Sequence, residues 1–370
     1  MKIGLIIYGS LDTVSGGYLY DRKLVEYLRA QGDEVDVISL PWRNYDSHLI
    51  DNLRFRLPPD LDLIIQDELN HPSLIAANRG PHPYPVISLV HHLRCSELRL
   101  KWQNAFYRLI EKKYLQSVDG FIFNSKTTER VVTGLLESSK PSVVGYPPTD
   151  RFCDRMSSEE EIRERAKNIE LRILFLGNVI FRKGLHTLLE AVKRQRRRPE
   201  FIGGSKVRVE VVGGLTAEPK YAEEMQRFVT VNGLSSIFTF HGALDNKPLI
   251  EMYRRSHVMV VPSSYEGFGI VYLEGMGFGL PAIGTTAGAA GEIITHGEDG
   301  YLIEPDDAES LARLFDELAN DRELLLRLSL NALKRYRSQP RWEETARNIR
   351  EFLYRMAGAS PSLRSAQREI

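Results

Sequence analysis

Short apolar runs that end in polar turns recur along this chain. Ile3–Tyr8 is apolar except for Gly4 and stops at Gly9-Ser10, the pattern of a strand buried on both faces of a parallel sheet. Beyond a loop containing Ser15-Gly16-Gly17, Tyr20, Leu24, Tyr27 and Leu28 fall at helical spacing, and Gly32 sits where a helix C-cap is expected. Val35–Leu40, Leu61–Gln66, Val86–Val90 and Gly120–Asn124 repeat the strand pattern, and 143–148 closes the set. Residues 150–170 are charged and poor in apolar side chains, which predicts a linker with a bridging helix. The pattern then restarts with strands at Arg172–Leu176, Val207–Val212, Phe238–Phe240, Val258–Val261 and a short final one at Ala282–Gly284. A helix is predicted across Leu185–Val192. Trp342, Ala346, Ile349, Leu353 and Tyr354 make an apolar stripe for a last helix, Trp342–Met356.

Strands alternating with helices predict an α/β fold built from two Rossmann-like domains, 1–155 and 168–338, each a parallel sheet covered on both faces. A chain of 370 residues is long for one hydrophobic core, which agrees. Ligands of such sheets bind beyond the C-terminal strand ends. Two domains facing one another would therefore put the site in the cleft between them. The polar end, 358–370, is expected to be disordered.

Composition narrows the function classes. Lys+Arg and Asp+Glu number 49 each, so no global field draws nucleic acid or acidic lipid, and only local patches could. Two cysteines, Cys95 and Cys153, are too few for a disulfide framework and lack metal-ligand spacing. The N-terminal apolar run is too short for a signal peptide, and nothing approaches the roughly 20 apolar residues of a spanning helix. A cytoplasmic protein is expected, at most resting on a membrane.

The candidate chemistry centres on Pro262-Ser263-Ser264-Tyr265-Glu266-Gly267-Phe268-Gly269 and the helix predicted to follow it through Leu273, Glu274 and Met276. Glycines let backbone amides approach phosphate oxygens, and a helix N-terminus adds roughly half a positive charge. Glu266 and Glu274 bracket that anion site. Glu274 can accept hydrogen bonds from ribose hydroxyls, and Glu266, on the loop, can reach a sugar. A second basic element, Arg182-Lys183-Gly184, follows the Arg172–Leu176 strand. Adjacent cations there can neutralise a diphosphate, Arg as a fork and Lys as a point charge.

The first segment resembles the signature of the retaining glycosyltransferases of family 4, which have the GT-B fold. Their pattern is Pro-Ser-x-x-Glu-Gly-Phe-Gly-x-x-x-x-Glu-Ala-Met followed by Gly-x-Pro, matched here by Glu266, Gly267, Phe268, Gly269, Glu274, Met276 and Gly279-Leu280-Pro281. Gly275 replaces the usual alanine, which lowers helix propensity but removes no chemistry. The resemblance implies a hexose transferred from a nucleotide-diphosphate sugar, with retained configuration and no metal or other cofactor, onto a glycan or lipid-linked acceptor. Cell-surface polysaccharide or glycolipid assembly is the implied setting. By the same resemblance Arg182 and Lys183 bind the donor's phosphates, Glu266 the sugar and Glu274 the ribose. Gly16 and Gly17 match the family's glycine loop, and His91 or His92, with His91 favoured, matches a histidine that contacts the sugar. The last helix, 341–357, would cross back to the first domain. Asp60-Leu61-Asp62 precedes its strand and reads as a turn rather than a metal motif.

Several elements carry open alternatives. Asp67-Glu68 could bind acceptor or cap the next segment, and Ser125 caps a helix more readily than it binds ligand. Gly288-Ala289-Ala290-Gly291-Glu292 resembles a family loop in which Ala289 replaces a glycine. In 97–114, Leu98, Trp102, Ala105, Phe106, Leu109 and Ile110 form one face, with Lys101, Arg108 and Lys112 on another. Such a helix packs on its own sheet, or lies on an anionic leaflet of the cytoplasmic membrane, or holds a lipid-linked acceptor. Arg194–Arg198 suits a helix C-terminus. A GT-B epimerase and a non-catalytic sugar-nucleotide-binding subunit are the competing readings. A nicotinamide oxidoreductase would need a G-x-G-x-x-G spacing that the 9–17 loop lacks.

Overall fold

A computed structural model describes residues 1–359 apart from 14, 53, 98 and 197–206, with Cys153 described only in its backbone. The expected tail beyond Ala359, and Arg197-Arg198 of the basic run, lie outside the described residues. The chain forms two compact units, Met1–Pro148 with Pro340–Ile370, and Thr149–Gln339.

The first unit is a six-stranded parallel sheet. In chain order it comprises β1 (Lys2–Tyr8), α1 (Gly16–Ala30), β2 (Glu34–Leu40), α2 (Tyr45–Asp51), β3 (Leu63–Asp67), α3 (His71–Arg79), β4 (Val86–Val90), α4 (Lys101–Gln116), β5 (Gly120–Phe123), α5 (Lys126–Leu136) and β6 (Ser142–Val144). The strand order β2-β1-β3-β4-β5-β6 reverses direction between β1 and β3. The second unit contains α6 (Glu159–Ala166), β7 (Leu171–Leu176), α7 (Leu185–Arg196), β8 (Val207–Val212), α8 (Pro219–Val231), β9 (Phe238–Gly242), α9 (Asn246–Arg255), β10 (Val258–Val260), α10 (Ile270–Gly277), β11 (Ala282–Thr285), β12 (Gly300–Ile303), α11 (Ala308–Asn320) and α12 (Arg322–Arg337). Its order, β9-β8-β7-β10-β11-β12, is the doubly wound arrangement whose crevice opens where the winding reverses, here between β7 and β10.

The final helix, α13 (Trp342–Met356), belongs to the first unit. Trp342, Ala346, Ile349, Phe352 and Leu353 are buried with Tyr20 and Leu24 of α1 and with Ile3, Leu5 and Ile7 of β1. Each large side chain buried this way contributes about 1.5–3 kcal/mol. A polar clamp fixes the helix as well. Asp33 accepts from Arg350 Nε and Tyr354 Oη, both at 2.7 Å, and pairs with the Met1 ammonium at 2.9 Å. Burial alone would raise the Asp33 carboxyl, but these partners hold it below its usual range.

Three expectations need correction. Ala282–Gly284 is not the final strand, because Gly300–Ile303 pairs in parallel with β11 beyond it. That strand is only four residues long and starts on a glycine, so it carries no alternating signal. Gly16 and Gly17 are not in an open loop but form the first residues of α1, capped by Ser15, whose side chain accepts from the Tyr18 amide at 3.3 Å. The third concerns α4, which packs on the sheet through residues other than the large side chains of its predicted apolar stripe. Trp102, Phe106 and Leu109 are exposed, and Glu111, Tyr114 and Leu115 are buried instead.

Candidate functional site

In the second unit, the loops that follow β7 and β10 meet at the reversal point. After β7 the chain passes Gly177 and makes a single helical turn, Phe181–Lys183, that ends on Gly184. Gly184 has φ +70°, and a Cβ there would collide with the Pro262 carbonyl. Only glycine lets the two loops touch at this point. The contact continues outward, since the Ser264 amide donates to the Arg182 carbonyl at 2.8 Å and the Arg182 guanidinium donates to the Tyr265 carbonyl, also at 2.8 Å.

The loop pairing delivers Lys183 to Glu266. Their side chains form a buried ion pair, and Ser263 Oγ donates to the same Glu266 Oε1 at 2.7 Å. Thr285 Oγ1 in turn donates to the Ser263 carbonyl at 2.6 Å. The main chain of Glu266 is also pinned. Gly288 bridges to it, and the Ala289 amide donates to its carbonyl at 2.8 Å. The loop in which Ala289 replaces a family glycine therefore orders Glu266 through its backbone. Burial would raise the Glu266 carboxyl, yet Lys183 and Arg182 hold it down at about 2. Burial pulls the Lys183 ammonium below its ordinary value, with Glu266 opposing.

Glu274 lies one turn inside α10, at 4% exposure. Its Oε2 accepts from Tyr253 Oη at 2.7 Å, and Arg151 stands 3.6 Å from Oε1. Tyr253 stacks on Phe278 with ring centroids 4.7 Å apart, and the Arg151 guanidinium lies 4.7 Å over Phe152. Burial pushes the Glu274 carboxyl up, and Arg151 and Tyr253 only partly reverse this. Gly269 caps α10 at φ +95°, with Gly267 and Phe268 immediately before it. Glu266, Arg182, Lys183, Gly267, Phe268, Gly269 and Glu274 are thus gathered on one crevice of one unit. Ser263, Tyr253 and Arg151 join them without having been singled out in the sequence. Ser263 was legible in the Pro-Ser of the motif. Tyr253 and Arg151 reach Glu274 from distant segments and leave no local signal.

In the first unit, His91 follows β4 beside the start of α1. A Cβ on Gly17 would come 3.4 Å from its ring. His91 Nε2 lies 3.2 Å from Asp21 Oδ1, and Tyr20 meets the ring edge-on. The His91 carbonyl accepts from Asn124 Nδ2 at 2.7 Å. His92 turns away to Glu97, at 3.0 Å. Of the two histidines, His91 is the one at the glycines. Asp67 and Glu68 are almost wholly buried: Asp67 accepts from the Leu69 amide at 2.9 Å, and Glu68 sits 3.1 Å from His71. They are interior groups rather than an acceptor surface. Ser125 caps α5, accepting from the Thr128 amide at 3.0 Å.

Residues 157–335 match the family model described as glycosyl transferases group 1. Among curated proteins, the chain is 26% identical over 237 residues to the capsular polysaccharide biosynthesis glycosyltransferase CapM of Staphylococcus aureus, covering 62% of this chain and 60% of that one. It is 26% identical over 272 residues to a D-inositol 3-phosphate glycosyltransferase of Corynebacterium urealyticum, covering 70% and 62%. The alignments thus span less than two thirds of either relative. Among solved structures, the sucrose-phosphate synthase of Thermosynechococcus elongatus superposes with a TM-score of 0.78 at 20% identity, over 97% of this chain and 100% of that one. The match to the glycosyl transferases group 1 model thus covers a little under half of the chain, and the two parallel six-stranded sheets are those of the GT-B fold.

Proposed function

We propose that the protein is a retaining, metal-independent glycosyltransferase that moves a hexose from a nucleotide-diphosphate sugar to a glycan or lipid-linked acceptor in cell-surface polysaccharide or glycolipid synthesis. The observation that carries this reading is the crevice between the β7 and β10 loops, where Arg182 and Lys183 converge on Glu266. Two cations held in place before the reaction stabilise negative charge as it develops on the departing diphosphate, which is the work a divalent cation would otherwise do. Glu266, kept ionised by Lys183, accepts hydrogen bonds from sugar hydroxyls. Glu274 takes the ribose, and the Gly267–Gly269 turn at the head of α10 takes phosphate oxygens. In the first unit His91, with Gly16 and Gly17, serves the sugar and acceptor.

Transfer proceeds with the acceptor hydroxyl losing its proton to the leaving diphosphate on the face from which that group departs. Glu266 is already committed to Lys183 and Ser263, so a front-face route fits better than a covalent carboxylate intermediate. The anomeric outcome tests this. Proton NMR of the first sugar released from an α-linked donor, before mutarotation, is expected to show the α anomer with EDTA present. A β product would overturn the retaining route, and loss of turnover in EDTA would overturn metal independence.

A further inference from the structure

α4 is rolled so that its apolar stripe faces away from the sheet. At about 100° per residue, Trp102, Phe106 and Leu109 fall on one side and Glu111 nearly opposite. The roll is fixed from the buried side. Glu111 is fully buried and accepts from the Arg94 and Cys95 amides at 2.6 and 3.1 Å. Tyr114 Oη donates to Ser88 Oγ at 3.1 Å. No small rotation can therefore hide the stripe without stranding a buried carboxylate.

What is left outside is large and apolar: Trp102 is 69%, Leu109 54% and Phe106 42% exposed, with Leu100 at 62% just before the helix. Phe106 also meets Tyr45 at the start of α2. A soluble surface rarely leaves such side chains adjacent without a use. The charges around them are of one sign. α4 exposes Lys101, Arg108 and Lys113, Lys112 is half-buried, and the single acidic residue of the helix is the buried Glu111. Lys112 pairs with Glu137 at 3.0 Å. Among the described residues Lys101, Arg108 and Lys113 have no carboxylate within ion-pair distance. Since the whole chain has a formal net charge of +0, this basic patch is local. No helix among the described residues is long and apolar enough to cross a membrane.

We propose that the exposed face of α4 is a docking surface for a bilayer rich in anionic phospholipid, with Trp102, Phe106 and Leu109 entering the headgroup region and the flanking cations meeting lipid phosphates. An apolar stripe bordered by Lys and Arg is the composition that holds a helix in the plane of an interface. The inference does not depend on the sugar-transfer reading and can fail or stand without it.

The test is co-sedimentation of the full chain with vesicles of equal parts phosphatidylglycerol and phosphatidylcholine, against vesicles of phosphatidylcholine alone. Binding to the anionic vesicles is expected to weaken as salt rises. It should fall about tenfold or more in Trp102→Ser/Phe106→Ser and, separately, in Lys101→Glu/Arg108→Glu/Lys113→Glu. All five side chains are outside the core, so both variants should fold, which near-native circular dichroism would check. Tryptophan emission should shift to the blue on anionic vesicles and lose that shift in Trp102→Phe. Equal binding by wild type and both variants, or no binding by wild type, would overturn the proposal. A reversible dimer broken by the serine variant, with no lipid binding, would assign the face to a second copy and overturn it as well.

Discussion

Lys183→Ala is expected to lower kcat by about two to three orders of magnitude, the usual cost of removing one preorganised partner of a developing negative charge. The side chain does two things at once. It supplies a cation at the β7 turn, and it neutralises Glu266, which is buried and held ionised at about 2. Removing it leaves a buried carboxylate with Ser263 and Arg182 as its remaining neighbours, a loss that costs roughly 3–5 kcal/mol when no other partner compensates. Activity and stability can be separated by adding Glu266→Gln. The double variant should recover much of the lost thermal stability, because the uncompensated charge is gone, and should remain inactive. Single-turnover rates with thermal melts of the four proteins make the cycle. A Lys183→Ala protein within threefold of wild-type kcat would take Lys183 out of the chemistry.

The second large effect is a loss of stability in the first unit as pH rises from about 6.5 to 9. Asp67 is buried beside Asp21, and burial followed by that like charge raises its carboxyl to about 8, against help from His91 and the Leu69 amide. Burial would lower His91, but its hydrogen bond to Asp21 and the charges of Asp21, Asp67 and Glu68 raise it to about 9. Burial, and then the charges of the nearby carboxylates, push Tyr8 and Tyr18 upward as well.

Both groups act in the same direction. The folded state holds protons that the unfolded chain has released, so the stabilisation from His91 is complete below about 6.5 and is lost as pH passes about 9. Asp67 gives up its share from about 4 to 8. Glu68, raised to about 7 mainly by burial, adds to the fall, while His71, lowered to about 4 by burial, opposes it only below about 6.5. Over the upper window His91 contributes on the order of 2–3 kcal/mol of the decline and Asp67 about 2 kcal/mol more. All three tryptophans, Trp42, Trp102 and Trp342, lie in the first unit, so urea unfolding followed by their fluorescence reads that unit. Asp67→Asn should remove about half the slope, and an unchanged slope would show that this cluster does not control it.

The sheets and the crevice between the β7 and β10 loops were legible because both rest on local patterns. Unbroken apolar runs mark buried parallel strands, and Glu266, Glu274, Arg182 and Lys183 lie in short motifs at strand ends, where doubly wound sheets bind ligands. What could not be read depends on contacts between distant segments. Arg151 and Tyr253 hold Glu274 from outside the motif. Asp21 looks like an ordinary helical residue until β4 brings His91 to it. The face of α4 was ambiguous for a related reason. Helical periodicity identifies a stripe but not which side meets the sheet, and here Glu111, anchored to the Arg94–Cys95 turn, decides against the apolar side. The last strand, Gly300–Ile303, is set by its pairing with β11 rather than by its own composition.

The most direct measurement of the central claim, a metal-independent nucleoside-diphosphate site in the second unit, is calorimetric titration with UDP, GDP and ADP in turn. It should be run with and without EDTA, on wild type and on Glu274→Ala. One of the three is expected to bind at one site per chain, unaffected by EDTA, and to weaken at least about tenfold when Glu274 is lost, since a charged acceptor of ribose hydrogen bonds is worth on the order of 1.5–3 kcal/mol. No binding by any nucleotide, binding abolished by EDTA, or equal affinity in the variant would contradict it.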